Sequence, residues 1–211
     1  MKCLICQHET VTFTHPQTHI VFHECSHCKV IFKDMIHWPS HDDELKRYKQ
    51  HHNSMNNQGY LDFLNGFISH GVKPFIKDGH VLDFGSGPEA ILKLLLDELG
   101  YEVTCYDPFF EPKLPENQVF DMITATEVIE HIQDPMKQLD WIDKHLKKGG
   151  YFSMMTLLYP EDRELFYKWF YIRDLTHIIF FHSRTYAYLA QSFGWKLIKD
   201  DKNRIAVFQK R

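Results

Sequence analysis

The segment Val81-Leu82-Asp83-Phe84-Gly85-Ser86-Gly87-Pro88-Glu89-Ala90 constrains this chain more than any other. A short apolar run meets two glycines one residue apart, and an apolar helical stretch follows. Glycine adopts backbone angles that other residues resist and lets a ligand approach the main chain, while a helix start offers unpaired N–H groups. Twenty residues beyond Gly87 stands Asp107, at the end of the next apolar run. A carboxylate there can accept hydrogen bonds from ribose hydroxyls. The pair implies a nucleoside-bearing ligand at the switch point of a doubly wound sheet, without saying which one.

The neighbouring sequence agrees. Strands are predicted at His80–Phe84, Glu102–Tyr106, Phe120–Ala125 and Tyr151–Thr156, and helices at Glu89–Leu99, Pro135–Leu146 and Ser183–Phe193. Trp195–Lys199 and Arg204–Gln209 read as a closing hairpin across a polar turn. This alternation predicts an α/β fold: a Rossmann-like, doubly wound, mostly parallel sheet with helices on both faces and an antiparallel edge strand. Upstream, Asp42–Gln50 has helical character with Ser40 as N-cap. Apolar residues at helical spacing from Tyr60 to Ile68 predict a second helix, ending near Gly71 and Pro74.

The first forty residues follow a different logic. Cys3-x-x-Cys6 and Cys25-x-x-Cys28 are separated by eighteen residues. Two such hooks present four thiolates at a spacing that suits tetrahedral Zn²⁺. Thr10–Thr14 and His19–His23 flank a link containing Pro16 and read as a hairpin, with Val30-Ile31-Phe32 as a third strand. The pattern resembles a zinc ribbon. So short a segment has too little core to fold unaided, and a closed Cys₄ site has no open coordination position, so the metal's expected role is structural. His8, His23 and His27 stand close enough in sequence to be alternative ligands. His51-His52 does not read as a second metal site, because adjacent residues face different ways. The expected organisation is a ribbon at 1–40, a helical linker or cap at 41–75 and a ligand-binding domain at 76–211.

Composition narrows the partners. The net charge is −4, and residues 1–52 hold six Lys/Arg against six Asp/Glu, so the ribbon lacks the basic field on which nucleic-acid affinity rests. Residues 140–211 carry 13 Lys/Arg against 8 Asp/Glu, which keeps RNA methylation guided by the ribbon as an alternative. No apolar run approaches the ~18 residues needed to span a bilayer. The chain opens with Met1-Lys2-Cys3-Leu4-Ile5-Cys6, not a secretory signal, so a cytoplasmic location is expected.

Gly85 to Ala90 also fits G-x-G-x-x-[G/A], the dinucleotide fingerprint. Against a pyrophosphate stand Glu89, a carboxylate expected in the first helical turn, Pro88, which lacks an N–H, and Asp83. A cofactor bearing an ammonium and a sulfonium suits those charges better. S-adenosylmethionine is such a cofactor.

At this point the chain resembles a known family. Val81 to Gly87 is similar to motif I of the class I SAM-dependent methyltransferases. Phe120-Asp121-Met122-Ile123-Thr124-Ala125-Thr126-Glu127-Val128-Ile129-Glu130-His131 resembles their fourth-strand segment, and Leu146-Lys147-Lys148-Gly149-Gly150-Tyr151 their approach to strand five. Asp174-Leu175-Thr176-His177-Ile178-Ile179-Phe180-Phe181 resembles the "DPTHVxFF" element of zinc-ribbon-bearing members, those of type 11/23. Glu89 replaces a glycine of motif I and Leu175 the proline of that element. Thirteen residues, 108–120, are too few for the usual second helix and third strand, so a shortened sheet edge is expected.

The resemblance implies a methyltransferase acting on a small-molecule acceptor such as a quinone-like ring or a sugar. It places Asp83, Gly85, Ser86 and Gly87 at the methionine end of the cofactor, Asp107 on its ribose, and Pro108 and Thr126 beside it. Glu127, His131 and His177 would face the acceptor as catalytic residues, and Cys3, Cys6, Cys25 and Cys28 would hold structural zinc. Tyr159, Phe166, Tyr167, Trp169, Phe170, Tyr171, Arg173, His177 and His182 within 157–182 predict a lid over that acceptor, with core packing at helical spacing as the alternative for Phe166, Trp169 and Phe170. The rival readings are a scaffold that keeps the fold without turnover and a nicotinamide-dependent oxidoreductase.

Overall fold

The computed structural model describes residues 1–49, 54–113 and 117–211. The chain opens as an antiparallel meander of β1 (Thr10–Thr14), β2 (Val21–Cys25) and β3 (Ile31–Lys33). The second strand starts two residues later than expected, because His19 takes φ 59° and belongs to the turn. Next comes α1 (His41–Tyr48), N-capped by the Ser40 side chain as the sequence implies. The expected end of that helix at Gln50, and the His51-His52 pair, lie outside the described residues. The following α2 (Gln58–Phe67) runs on through a wider helical turn, Ile68–Val72, before Pro74 stops it.

The main sheet is built from β4 (His80–Phe84), then α3 (Ile91–Glu98), β5 (Glu102–Tyr106), β6 (Phe120–Thr126), α4 (Pro135–His145) and β7 (Leu146–Met155). After α5 (Arg163–Lys168) and the two-residue β8 (Ile179–Phe180) come α6 (Ser183–Phe193), β9 (Lys196–Asp200) and β10 (Ile205–Gln209). Its strand order is β5-β4-β6-β7-β10-β9. The first four strands are parallel, whereas β10 runs antiparallel to both neighbours. The antiparallel strand therefore lies one place inside the edge. The residues explain why: Ile205 to Phe208 are all buried, which demands cover on both sides, while β9 carries Lys196 and Lys199, residues that suit an edge.

Helices cover both faces. Leu64, Phe67, Ile91, Leu92 and Leu96 from α2 and α3 pack on Val81, Met122 and Val207. On the other face, Leu139, Ile142, Tyr186 and Leu189 from α4 and α6 pack on Leu82, Ile123, Phe152 and Phe208. At the far edge β5 is the last strand. Among the described residues of 108–119 there is no helix or further strand, only a bridge between Asp107 and Glu111. The sheet is shortened as the sequence predicts.

Segment 157–182 departs from expectation. Its β8 leaves the main domain's sheet and pairs with β3 of the ribbon, Ile31 opposite Phe180 and Phe32 opposite Ile179. Tyr159, Phe166, Tyr171, Ile172 and Phe180 bury themselves against Phe22 and Ile31. Most of the expected aromatic lid is thus glue between ribbon and main domain. Phe170, 63% exposed, stays at the cleft, and Tyr171, Arg173 and His177 line the cleft too.

Candidate functional site

The four ribbon cysteines converge. All are buried; Cys3 Sγ lies 3.6 Å from Cys28 Sγ, and Cys6 Sγ 3.3 Å from Cys25 Sγ. Corners of a tetrahedral site with Zn–S bonds of about 2.3 Å stand about 3.8 Å apart, whereas a disulfide needs about 2.05 Å. Gln7 and Lys29 (φ 60° and 65°) follow the second cysteine of each hook and return their N–H groups to the carbonyls of Cys3 and Cys25. These turns aim each sulfur pair inward. The histidines are occupied otherwise: His8 stacks on His27 at 3.9 Å, and His23 bonds Asp34 at 2.8 Å.

A cavity of about 780 Å³ opens at the carboxyl ends of β4, β5 and β6, and the glycine turn, Asp107, Pro108, Thr126, Glu127, His131 and His177 all line it. Gly85 and Ser86 N–H both donate to Tyr106 O, at 2.7 and 3.1 Å. Gly85 has φ +80°, and a Cβ there would stand 2.3 Å from Val128 Cγ2. Gly85→Ala should therefore cost about 1–3 kcal/mol, read as a fall of roughly 5 °C in Tm together with a distorted turn. Asp107 is fixed by three backbone donors, Gly87 N–H on Oδ2 and Phe109 and Phe110 N–H on Oδ1. A carboxylate has lone pairs to spare for ribose beyond these.

Glu89 does not enter the first helical turn. The residue before α3 is Ala90, held at φ +45°, so Pro88 and Glu89 form an exposed turn at the cleft rim. Glu89 therefore sets no helical carboxylate against a pyrophosphate, which leaves Pro88, without an N–H, and Asp83. That group is 1% exposed; burial pushes its carboxyl up to about 7, Asp107 adding to the effect and a Thr124 hydrogen bond opposing it. Its Oδ2 has no hydrogen-bond partner among the described residues.

On the opposite wall, Glu127 takes φ +55° and donates its N–H to Met155 O at 2.8 Å. The chain then closes a 3₁₀ turn, Ile129–His131. The α-helical pairing expected between Glu127 and His131 is replaced by another arrangement. Tyr171 Oη lies 2.8 Å from Glu127 Oε2 and is hydrogen-bonded to Glu130 as well. The His131 ring meets His177 edge to face at 4.7 Å. His131 Nδ1 donates to Thr176 O (2.9 Å) and His177 Nδ1 to Tyr171 O (3.0 Å). Burial raises the carboxyls of Glu127 and Glu130 and the Tyr171 phenol above their ordinary values.

Sequence reasoning missed several lining residues. From α1, Arg47 reaches Asp174 Oδ2 through Nε and Nη2 at 2.9 and 2.6 Å, and Tyr48 packs on Phe109 and His131. Though burial opposes it, the Arg47 and Thr176 bonds hold the Asp174 carboxyl well below the usual range. Arg47→Ala should loosen α1 over the cleft, measured as faster amide exchange in residues 41–48 with the main sheet unaffected. Only the Ser40-capped amphipathic pattern hinted at this helix.

A family model described as "Methyltransferase domain" matches residues 56–200. Ubiquinone biosynthesis O-methyltransferase of Vibrio vulnificus is 32% identical over 85 residues, 38% of this chain and 36% of that protein. Its Vibrio atlanticus counterpart is 30% identical over 77 residues, 36% of this chain and 32% of that protein. The chain thus spans about a third of the length of these curated relatives. Among solved structures, the PH0226 protein of Pyrococcus horikoshii superimposes with a TM-score of 0.53 at 16% identity, over 79% of this chain and 99% of that one. CalO1, a methyltransferase of calicheamicin biosynthesis in its SAH-bound form, gives 0.51 at 13% identity, over 73% and 56%. With its parallel sheet, its glycine turn and its matched core, the chain belongs to the methyltransferase-domain family and has the class I SAM-dependent methyltransferase fold.

Proposed function

We propose that this protein binds S-adenosylmethionine across the glycine turn and transfers its methyl group to a small, ring-bearing acceptor. The observation that carries this reading is the continuity of one cavity from Gly85–Gly87 and Asp107 to Glu127, His131 and His177. The likeness to the ubiquinone biosynthesis O-methyltransferases favours an oxygen acceptor. Four buried sulfurs at tetrahedral spacing support a structural zinc ion in a ribbon at 1–40, joined by a cap at 41–75 to the catalytic domain at 76–211. Four thiols kept reduced for a metal also suit a cytoplasmic protein. Among the described residues no helix is long and apolar enough to cross a membrane.

When bound, the cofactor supplies an electrophilic methyl on a sulfonium whose sulfur is already a good leaving group. The chain's own work is positioning and proton removal. Gly85, Ser86 and Gly87 would shape the backbone around the methionine end, and Asp83 would answer its ammonium. Asp107 would accept from the ribose, with Pro108 and Thr126 flanking the nucleoside. Tyr171 holds Glu127 in place, and Glu127, His131 and His177 would orient the acceptor and take its proton. Tyr48 and Phe170, at the mouth, would limit water.

Calorimetric titration of the zinc-loaded protein tests this. S-adenosylmethionine and S-adenosylhomocysteine should bind and NAD should not, and Asp107→Ala should weaken the first two at least about tenfold, some 1.4 kcal/mol. No binding of either by a folded protein would defeat the enzyme reading and leave a scaffold.

A further inference from the structure

The walls of the proposed active-site cleft carry unequal charge. Among the described residues the carboxylates of Glu44, Asp83, Glu89, Asp107, Glu127 and Asp174 line it, against the guanidiniums of Arg47 and Arg173 alone. We propose that the methyl acceptor carries a cationic amine, held by the Glu44 carboxylate against the rings of Tyr48 and Phe109, while a hydroxyl at its other end takes the methyl group. The proposal rests on the methyltransferase reading and names the acceptor class within it.

Most of those charges are already engaged. Arg47 is paired with Asp174, and Arg173 is exposed and donates to Lys168 O at 3.4 Å. Asp107 is fixed by backbone donors and, with Asp83, faces the proposed cofactor. Glu127 is held by Tyr171, and Glu89 sits on the exposed rim. Glu44 is left over. It lines the cleft half-buried, yet among the described residues its side chain makes no ion pair and no hydrogen bond. Burial raises its carboxyl, against the pull of His41. A carboxylate withdrawn from water without a partner is costly, and a bound ammonium removes that cost.

The helix places Glu44 for this task. His41, Glu44 and Tyr48 stand at i, i+3 and i+7, so they share one face of α1. Phe109 meets that face twice, its ring 4.6 Å from His41 and 5.3 Å from Tyr48. Asp42 and Asp43 in the same first turn are exposed, and Asp43 accepts from Ser40 Oγ at 2.7 Å. An ammonium favours the company of a carboxylate and aromatic faces. Tyr48 also meets His131 edge to face at 5.6 Å, so one ring joins the Glu44 end of the cleft to the residues that would receive the acceptor's proton. The Tyr48 phenol is held above its ordinary value by burial and then by the charges of Glu44, Glu130, Asp107 and Asp174. A cleft in so negative a field draws in a cation and repels a carboxylate or a phosphate.

The amine is recognised and not consumed. As the acceptor oxygen gains the methyl, the O–C bond forms and the C–S bond breaks, the electron pair stays on sulfur, and the hydroxyl proton passes to the wall of Glu127, His131 and His177. The amine keeps its proton beside Glu44 throughout. Holding it as a cation also separates the oxygen that reacts from a nitrogen that, once protonated, has no lone pair to offer.

The probes are catechols that share one ring and differ in side-chain charge: dopamine, 4-methylcatechol and 3,4-dihydroxyphenylacetate. Each is titrated calorimetrically into zinc-replete protein saturated with S-adenosylhomocysteine. Dopamine should bind at least about tenfold more tightly than 4-methylcatechol, and the acid most weakly. Glu44→Gln should erase the advantage of dopamine and Glu44→Lys should reverse the order, with S-adenosylhomocysteine affinity within about twofold of wild type in both. Absence of dopamine binding, an order not led by dopamine, or a dopamine preference that survives in Glu44→Gln would each overturn the proposal. Failure of the wild-type protein to bind S-adenosylhomocysteine would instead overturn the methyltransferase reading beneath it. Should a variant lose its fold, the order of the catechols on the wild-type protein decides.

Discussion

Cys25→Ser is expected to abolish zinc retention, to lower the unfolding temperature by at least about 10 °C, and to cost the protein its acceptor-side geometry while cofactor binding survives. Apparent binding energies of structural zinc reach about 10–16 kcal/mol and count directly as folding energy where the segment cannot fold alone. Here the ribbon is not a separable appendage. Its β3 pairs with β8, Thr185 Oγ1 donates to Cys28 O at 2.9 Å, and Tyr159 Oη donates to Lys29 O at 2.6 Å. Ile178 N–H bonds Glu130 O at 2.9 Å, and the next residue back is His177. Releasing the metal should free β3, then β8, then the loop that presents Thr176 and His177. The glycine turn hangs from β4 and Tyr106 instead, with no backbone hydrogen bond to the ribbon among the described residues. The checks are zinc content by atomic absorption, Tm by calorimetry, and hydrogen exchange across 174–181 compared with 81–87. Protection of 174–181 that survives loss of the metal would contradict this chain of support.

What the sequence revealed and what it hid divide along one physical line. The glycine turn, Asp107 and the two cysteine hooks are local devices: each is written in a few residues whose backbone angles or ligand chemistry admit few alternatives. Gly85 is the clearest case, since its φ and the Val128 contact both demand glycine. Partnerships across the chain were hidden. Ile179-Phe180 is an apolar pair whose spacing does not say which sheet it joins, and it pairs with the ribbon's third strand. The Arg47–Asp174 pair spans 127 residues and carries no periodic signal. Glu130 was overlooked inside a recognised motif, because a carboxylate in a short turn looks solvated until packing covers it. The place of β10, inside the sheet, differs from the expected antiparallel edge strand, although its unbroken apolar run beside the lysines of β9 marks an inner strand.

Asp83→Asn should stabilise the protein above neutral pH while weakening its hold on the cofactor. Burial raises this carboxyl from the ordinary value near 3.9 to about 7, with no cation or full set of donors to compensate. A folded-state value above the unfolded one means that the native state binds the proton more tightly. The native state is then favoured fully below pH ~4, and that advantage is lost as pH rises through about 7. Wild-type stability should fall relative to the asparagine variant by about 2–3 kcal/mol between pH 5 and pH 8. Urea midpoints of the two proteins should converge in acid and separate in base, the variant above. Equal midpoints at pH 8 would show that Asp83 finds a counter-charge when ionised. A buried acid that costs stability persists where it answers a ligand's charge, and the ammonium of S-adenosylmethionine is such a charge. The same substitution should therefore weaken S-adenosylmethionine more than adenosine, which has the ribose for Asp107 but no ammonium for Asp83.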